Sequence, residues 1–263
     1  MASRDLQTLV RVTLSYGVGA TALVILALII RRSSSLKRFQ QRLFASIFTT
    51  IGVPRLSAAL DHHKSRLFAR IHQMRSADVN LMKQGVGCVR ILEIGVGSGT
   101  NLRYYPLNSH LIVVEPNPFF ERLFKQNSDK YPKLHVEKFI AADAQDMSTA
   151  VDANSIDVVV STHVLCSIHD VDKCLQEIKR ILVPGGHFFY VEHVKYPLAN
   201  KVGQALQTAL NPMWMLFNDN CRLTQDLDNE LNAAHFSSVH HEQLILDNVN
   251  FFIRPHLLGY AIK

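Results

Sequence analysis

A short run from Val89 to Asn101 combines an apolar stretch, a glycine-rich turn and the start of a helix. Its glycines, Gly95, Gly97 and Gly99, permit a tight turn and a close approach of the backbone to a ligand. A helix that begins after such a turn presents free N–H groups. Glu115 closes the next apolar run, 20 residues after Gly95, where an acid can bind both hydroxyls of a ribose. The spacing therefore predicts a nucleotide-binding strand–turn–helix unit.

Glu93 lies two residues before the first glycine and distinguishes two classes of cofactor. A dinucleotide site has the pattern Gly-x-Gly-x-x-Gly and places a pyrophosphate at the start of the helix, where a carboxylate would repel it. S-Adenosylmethionine has no phosphate and carries an ammonium and a sulfonium group, which a carboxylate attracts. The pattern from Glu93 to Gly99 therefore favours S-adenosylmethionine over NAD as the cofactor.

Apolar runs that are typical of buried strands alternate with a helical pattern downstream of this turn. We expect strands at 136–141, 156–161 and 187–194, and a helix from Asp170 to Leu182 that Pro184-Gly185-Gly186 ends. Strands that alternate with helices predict an α/β fold with a doubly wound, mostly parallel sheet. In such sheets ligands bind at the carboxyl ends of the strands.

Residues in the glycine turn or directly after a strand are therefore the candidates for cofactor binding. Asp143 follows the third strand, where folds of this kind place a group that faces the adenine. Thr162 and His163 follow the fourth strand. The full set of candidates is Glu93, Gly95, Gly97, Gly99, Asn101, Glu115, Pro116, Asn117, Asp143, Ala144, Thr162 and His163.

Together these motifs resemble those of class I S-adenosylmethionine-dependent methyltransferases. Further segments are similar to the membrane-associated methyltransferase-like thiol methyltransferases of animals, and the resemblance covers the whole chain. These segments are Asn117-Pro118, Leu165-Cys166-Ser167, Glu192-His193-Val194, 219–224 and 254–263. The resemblance implies a seven-stranded Rossmann-like sheet, S-adenosylmethionine as the methyl donor and a thiol as the methyl acceptor.

The chain departs from the pattern of that family at three positions. It has Glu115 where the family usually has Asp, and Val96 where the family usually has Cys. Glutamate keeps the charge that binds a ribose, although its longer side chain can shift the cofactor slightly. His163 replaces an apolar residue at the border of the expected pocket, so it can change the choice of acceptor.

The net positive charge of the chain comes from its N-terminus. The formal net charge is +6, from 28 Lys or Arg and 22 Asp or Glu. Residues 1–42 contain seven basic residues and one acidic residue, Asp5, so residues 43–263 carry 21 charges of each sign. A nucleic-acid enzyme usually carries its positive charge on the domain that contacts the phosphates. The distribution therefore argues against RNA or DNA as a partner.

The N-terminus has the composition of a membrane anchor. Residues 12–30 form a stretch of 19 residues without a charge, which is just long enough to cross a bilayer core of about 30 Å at about 1.5 Å per residue. Arg31 and Arg32 follow at once in place of the small residues of a cleavage site, so we expect an uncleaved anchor instead of a signal peptide. The positive-inside rule then places the enzyme domain in the cytosol.

We expect three regions along the chain: an anchor with its basic flank at 1–35, an amphipathic helical region at 36–80, and a methyltransferase domain at 81–263. Between residues 43 and 60 the apolar residues recur with helical spacing, and Pro54 interrupts them. This pattern fits a helix that lies along the membrane surface and equally a helix that packs on the domain. The resemblance implies the endoplasmic reticulum membrane, with the lipid droplet as an alternative.

Two residues are the main candidates for catalysis. His193 closes the fifth strand on the ligand side and can accept a proton near neutral pH. Asp219 belongs to a segment that carries the resemblance, and its alternative role is to cap a helix that begins near Thr224. The apolar run 212–217 would line a pocket for a lipophilic acceptor. We expect no metal, because the four cysteines form no Cys-x-x-Cys pair and no Cys/His spacing matches a zinc site.

The sequence thus predicts a methyltransferase that uses S-adenosylmethionine to methylate small lipophilic thiols at the cytosolic face of the endoplasmic reticulum. A methyltransferase for a lipid or quinone-like acceptor is one alternative. An oxygen acceptor of high pKa would need a stronger base than a thiol, whose pKa is about 8.5. A membrane or lipid-droplet protein that has lost catalysis and recruits partners is the other alternative, and the intact glycines and acids argue against it.

Overall fold

The computed structural model describes residues 33–263. The predicted anchor stretch 12–30 lies outside the described residues. The chain divides into two compact units, Met1–Leu43 and Phe44–Lys263. The second unit contains the whole sheet together with residues 44–80. The boundaries that the sequence predicts after residues 35 and 80 stay predictions.

Seven strands form one sheet in the order β3-β2-β1-β4-β5-β7-β6, and β7 alone runs antiparallel to its neighbours. This order confirms the predicted doubly wound, mostly parallel fold. The strands are β1 Arg90–Ile94, β2 His110–Val114, β3 His135–Ile140, β4 Ile156–Thr162, β5 Leu182–His193, β6 Ser238–Ile245 and β7 Pro255–Ile262.

The described residues also form α-helices. They are α1 Ser34–Ile47, α2 Val53–Phe68, α3 Val79–Met82, α4 Phe119–Ser128, α5 Val171–Ile181, α6 Lys201–Phe217 and α7 Leu227–Ala233. The predicted helix is α5. Asp170 precedes it as the N-cap, because its carboxylate accepts a hydrogen bond from the backbone N–H of Lys173 at 3.0 Å.

The strand after α5 begins earlier than the sequence predicts. Leu182 already pairs with Ile156, and a register irregularity then carries the chain through Pro184-Gly185-Gly186 before His187 pairs with Val158. Gly185 has a φ of +76°, which glycine adopts without steric cost. The segment that ends the helix is therefore also the irregular first part of β5.

Both faces of the sheet are buried. Along β1, Leu92 and Ile94 pack into one hydrophobic cluster, whereas Ile91 packs into a second cluster with Phe68 of α2. Successive side chains of a strand point to opposite faces, so a central strand covered on both sides is apolar throughout. Burial on both faces holds the strands in place, and the candidate residues lie at the carboxyl ends of these strands.

The region before β1 has an irregular helix. A single π-helical segment, Phe48–Gly52, separates α1 from α2, and Pro54 lies in the first turn of α2, where its missing N–H is tolerated. Among the described residues, the helical stretch Ser34–Gln73 is long and apolar enough to cross a membrane, with a mean hydropathy of 1.4 in its most apolar window. Core helices and signal sequences meet the same criterion.

Candidate active site

The glycine turn after β1 requires its glycines for two different reasons. Gly95, Gly97 and Gly99 all have positive φ, at +61°, +52° and +79°. A Cβ on Gly95 would lie 2.3 Å from a methyl group of Val164. A Cβ on Gly97 would lie 3.9 Å from the nearest atom, a ring carbon of Phe120, so its backbone borders open space. Gly97 is therefore the glycine that leaves room for a ligand.

Glu115 lies directly after β2 and is buried. Its carboxylate accepts hydrogen bonds from the backbone N–H groups of Gly97 at 3.0 Å and Asn117 at 2.9 Å. Burial, partly opposed by these hydrogen bonds, raises the pKa of Glu115 to about 7. The carboxylate is thus held beside the glycine turn, as the predicted ribose-binding role requires.

Glu93 lies in β1 below the turn and belongs to a buried polar network. It accepts hydrogen bonds from the Asn101 amide at 2.8 Å and from the Tyr105 hydroxyl at 2.7 Å. Lys64 of α2 donates to the other side of the same amide, with its Nζ 2.8 Å from Asn101 Oδ1. Burial raises the pKa of Glu93 to about 7 and lowers the pKa of Lys64 to about 8. Lys64 is not predictable from the motif, because α2 precedes the glycine turn and lies outside it.

A cavity of about 880 Å³ opens at the carboxyl ends of the parallel strands. Eight of the residues predicted from the sequence line it: Gly95, Gly97, Glu115, Pro116, Thr162, His163, His193 and Asp219. A smaller neighbouring cavity of about 450 Å³ is lined by Glu93, Asn101 and Lys64, together with the glycine turn.

Four predicted cofactor residues do not line either cavity. Asn117 supports the site through its contact with Glu115, and Gly99 packs against Leu102. Asp143 is exposed, and its carboxylate accepts hydrogen bonds from the backbone and side chain of Gln145. Ala144 is buried in the core beside it. Contact of Asp143 with an adenine therefore stays a prediction.

Apolar side chains form one wall of the larger cavity. These are Phe44, Phe48, Leu56, Phe120, Trp214 and Ile253. Phe48 belongs to the π-helical segment, a kind of irregularity that is frequent at functional sites. Trp214 shows that the run 212–217 contributes to the cavity, whereas Phe44, Phe48 and Leu56 come from the amphipathic helical region predicted at 36–80.

Three histidines lie together, and two of them, His163 and His193, line the cavity. Nε2 of His163 lies 2.9 Å from Nε2 of His256, and the ring of His193 stacks at a centroid distance of 6.1 Å from that of His163. Burial lowers the pKa of His163 well below its ordinary value and lowers that of His256 to about 3. Both rings are therefore neutral at physiological pH, and their contact is a neutral hydrogen bond.

His193, the predicted base, lies beside two cysteines. Its Nε2 is 3.0 Å from Sγ of Cys221, which also lies 3.3 Å from the indole nitrogen of Trp214. Burial, the largest influence, disfavours the charged imidazole, but the effects of Cys166 and Glu192 outweigh it and raise the pKa of His193. Contact with Cys221, followed by burial, raises the pKa of Cys166 well above that of a free thiol.

The cysteines are the functional candidates that spacing alone did not reveal. One ligand atom from each of Cys166, His193 and Cys221 lies within 4.8 Å of the others. Each of the three residues belongs to a segment that carries the resemblance described above, which is the signal that could have identified them. The expectation of no metal rested on local spacing, and local spacing does not report this cluster.

Asp219 lies at the cavity but not at the start of a helix. It has a φ of +50°, and its negative charge contributes to the raised pKa of Glu115. The helix that follows is α7, which begins at Leu227 after Asp226. The alternative role of Asp219 as a cap near Thr224 is therefore wrong, because no helix begins there and Asp226 occupies the N-cap position of α7.

The chemistry of these groups fits S-adenosylmethionine. Glu115 offers a carboxylate for ribose hydroxyls, and Glu93 offers a carboxylate for an ammonium group. Gly97 lines both cavities and leaves open space at its backbone. A phosphate-bearing cofactor would have to approach both buried acids. The site therefore favours the cationic cofactor, as the sequence pattern does.

Comparison with known proteins agrees with this chemistry. Residues 92–190 match the protein family described as Methyltransferase domain. The thiol S-methyltransferase TMT1B of Homo sapiens is 33% identical over 210 residues, which cover 80% of this chain and 82% of that protein. The chain belongs to this methyltransferase family. The thiol S-methyltransferase TMT1A of Homo sapiens is 34% identical over 177 residues, or 67% of this chain and 72% of that protein.

Solved structures of more distant proteins share the fold. A chain of the complex between the Haloferax volcanii Trm112 methyltransferase activator and a methyltransferase aligns with a TM-score of 0.58 and 17% identity, over 84% of this chain and 96% of that one. The N-methyltransferase NodS of Bradyrhizobium japonicum, in complex with S-adenosyl-L-homocysteine, aligns with a TM-score of 0.51 and 15% identity, over 78% and 87%. The protein is an S-adenosylmethionine-dependent methyltransferase with a class I fold.

Proposed function

We propose that the protein methylates the thiol groups of small lipophilic molecules. The observation that carries the proposal is a single cavity that joins the cofactor residues Gly97 and Glu115 to an apolar wall and to the His193–Cys221 pair. The names of the curated relatives support a thiol acceptor. The apolar wall supports a lipophilic one, because removing apolar surface from water is favourable.

S-Adenosylmethionine supplies a methyl group bound to a positively charged sulfur. Glu115 binds the ribose, and Glu93, held by Asn101 and Tyr105, lies where it attracts the ammonium group. These contacts fix the donor relative to the cavity, and such positioning provides much of the acceleration in a displacement reaction. His193 takes the acceptor proton in this proposal, and its position in the cavity wall at the end of β5 supports that role.

We further propose that the enzyme works at the cytosolic face of the endoplasmic reticulum membrane, where lipophilic acceptors concentrate. The uncharged stretch 12–30 and the arginines after it support an anchor with this orientation. The helical stretch Ser34–Gln73 adds a second apolar segment near the same end. The lipid droplet is an alternative site for the same anchor.

A matched panel of acceptors tests the proposal. The full chain in detergent is given S-adenosylmethionine and a medium-chain alkanethiol, or the alcohol or amine with the same carbon skeleton, and S-adenosylhomocysteine is quantified. We expect turnover with the thiol at least 100 times that with the alcohol or amine, and none with Glu115→Ala. Equal or preferred turnover of a lipid or quinone-like acceptor would contradict the thiol assignment.

A further inference from the structure

Three side chains in the cavity have the donor atoms and the arrangement of a metal site. Cys166 follows β4, His193 ends β5 and Cys221 follows α6, and one ligand atom from each lies within 4.8 Å of the others. Cys166 and His193 are buried, and Cys221 is partly exposed at the cavity. Two sulfurs and an imidazole nitrogen are a donor set that zinc prefers.

We propose that Cys166, His193 and Cys221 bind a zinc ion whose fourth coordination position takes the thiolate of the methyl acceptor. This inference rests on the proposed thiol methyltransferase function and deepens it by assigning the group that activates the thiol. In this proposal the His193 ring binds the zinc ion and does not act as the general base.

The separations suit a small movement into tetrahedral geometry. Zinc binds sulfur at about 2.3 Å and imidazole nitrogen at about 2.0 Å, so neighbouring ligand atoms lie about 3.5 to 3.8 Å apart. Nε2 of His193 and Sγ of Cys221 are 3.0 Å apart as a hydrogen-bonded pair, and the whole set lies within 4.8 Å. Zinc would widen the closest pair by about half an ångström.

A neighbouring donor supports Cys221 as a ligand. The indole Nε1–H of Trp214 lies 3.3 Å from its sulfur. An N–H group that points at a sulfur stabilises the thiolate form, and hydrogen bonds of this kind orient metal ligands. Trp214 also belongs to the apolar cavity wall, so one residue would both support the metal and contact the acceptor.

The number of ligands indicates a catalytic site instead of a structural one. Structural zinc sites are closed by four protein ligands, whereas catalytic sites have three and leave a position for water or substrate. The cluster found among the described residues has three members, and all three line the cavity that contains Gly97 and Glu115. The open position would therefore face the methyl donor.

The chemistry balances without any redox change. The acceptor thiol loses its proton to solvent as its sulfur coordinates zinc, which holds it as a thiolate at neutral pH. The thiolate electron pair forms a bond to the methyl carbon. The bond between that carbon and the sulfonium breaks, and its electron pair stays on the sulfur of the departing S-adenosylhomocysteine. Zinc remains divalent throughout.

Metal binding is tested first without any methyl transfer. The full chain is purified in detergent, stripped with a chelator, and titrated with Zn²⁺ and, separately, with Co²⁺, whose visible and sulfur-to-metal bands report the ligands. We expect one equivalent to bind and the affinity to fall at least 100-fold in Cys166→Ser, Cys221→Ser and His193→Ala. Cys88→Ser is the control, because this buried cysteine lies outside the cluster. Its thiol donates a hydrogen bond to the backbone carbonyl of Asn108.

Binding of the acceptor is tested next on the Co²⁺ form. We expect a medium-chain alkanethiol to shift the Co²⁺ bands and the matched alcohol to leave them unchanged. S-Adenosylmethionine binding, measured by calorimetry, should persist in Cys221→Ser, which shows that the variant is folded. The proposal would be overturned if Zn²⁺ did not bind stoichiometrically, or if the Co²⁺ bands did not shift when the thiol is added.

The two proposals fail in distinguishable ways. If the stripped, metal-free chain methylates thiols at the full rate, the zinc site is overturned and the thiol methyltransferase function stands. In that case His193 and Cys221 act as a hydrogen-bonded pair. If Zn²⁺ and S-adenosylmethionine both bind but no thiol is methylated, the proposed function fails, and with it the role of the metal in thiol activation.

Discussion

The carboxylate of Glu115 accepts a hydrogen bond from the backbone N–H of Gly97 at 3.0 Å. This contact joins the end of β2 to the glycine turn after β1, two strands that pair in parallel from Arg90↔His110 to Ile94↔Val114. A bound ribose would face the same carboxylate. The acid therefore holds the glycine turn through this hydrogen bond, and we expect the same carboxylate to contact the cofactor.

Replacing Glu115 should abolish cofactor binding while the protein stays folded. Glu115→Ala removes an acceptor that would bind two ribose hydroxyls, and each hydrogen bond to a charged group contributes about 1.5 to 3 kcal/mol. We expect calorimetry to show S-adenosylhomocysteine binding weakened at least 100-fold. Glu121→Gln, at an exposed carboxyl of α4, is the control and should bind normally. Unchanged affinity in Glu115→Ala would remove this residue from the site.

Cofactor affinity should depend on pH around neutrality. Glu93 and Glu115 both have a pKa of about 7 in the folded protein, chiefly because they are buried. The cofactor ammonium and ribose favour the ionised carboxylates, so affinity should fall as the pH decreases through 7. Calorimetry from pH 6 to pH 8.5 measures this, and a flat profile would contradict it.

The stability of the cofactor-free protein should decrease as the pH rises, whereas its affinity for the cofactor should increase. A carboxyl whose folded pKa is raised from 4.5 to about 7 stabilises the fold fully below pH 4.5, and that stabilisation is lost as the pH rises through 7. The loss amounts to roughly 3 kcal/mol for one such group. We expect the increase in Tm caused by S-adenosylhomocysteine to be larger at pH 8 than at pH 6. An equal increase at both values would show that these acids do not titrate in the folded protein.

Lys64 should tune the ionisation of Glu93. Its charge lowers the pKa of Glu93, and it reaches this acid through Asn101. Lys64→Met keeps the length of the side chain and removes the charge, so the midpoint of the cofactor pH profile should move to higher pH. Lys125→Met, at an exposed position of α4, is the matched control. An unmoved midpoint would contradict the coupling.

Gly95 should tolerate replacement by alanine less well than Gly185 of β5 does. Gly95→Ala combines a φ of +61° with a Cβ at 2.3 Å from Val164, whereas Gly185→Ala has a φ of +76° and open space. The left-handed conformation alone costs about 1 to 2 kcal/mol for alanine. We expect thermal unfolding to show that Gly95→Ala lowers Tm clearly more than Gly185→Ala. Equal losses would mean that contact with Val164 does not restrict this position.

The sequence by itself determined the cofactor half of the site. Glu93, the three glycines and Glu115 lie within one strand–turn–helix–strand unit, so their relative positions follow from the geometry of consecutive elements. The doubly wound sheet was predictable for the same reason, because apolar runs and helical patterns alternate along the chain. Strand limits such as that of β5 were not, since a register irregularity carried by Gly185 depends on pairing with β4.

His193 and the run 212–217 were predicted from the sequence, but only the tertiary structure decided which residues meet at the proposed acceptor side. Cys166, His193 and Cys221 come from three segments, and His193 and Cys221 are separated by 28 residues. Lys64 and Phe48 reach the site from helices that precede the sheet. Contacts between segments so distant in the chain depend on how the strands order and how the helices pack. Those are properties of the whole core, which no local spacing encodes.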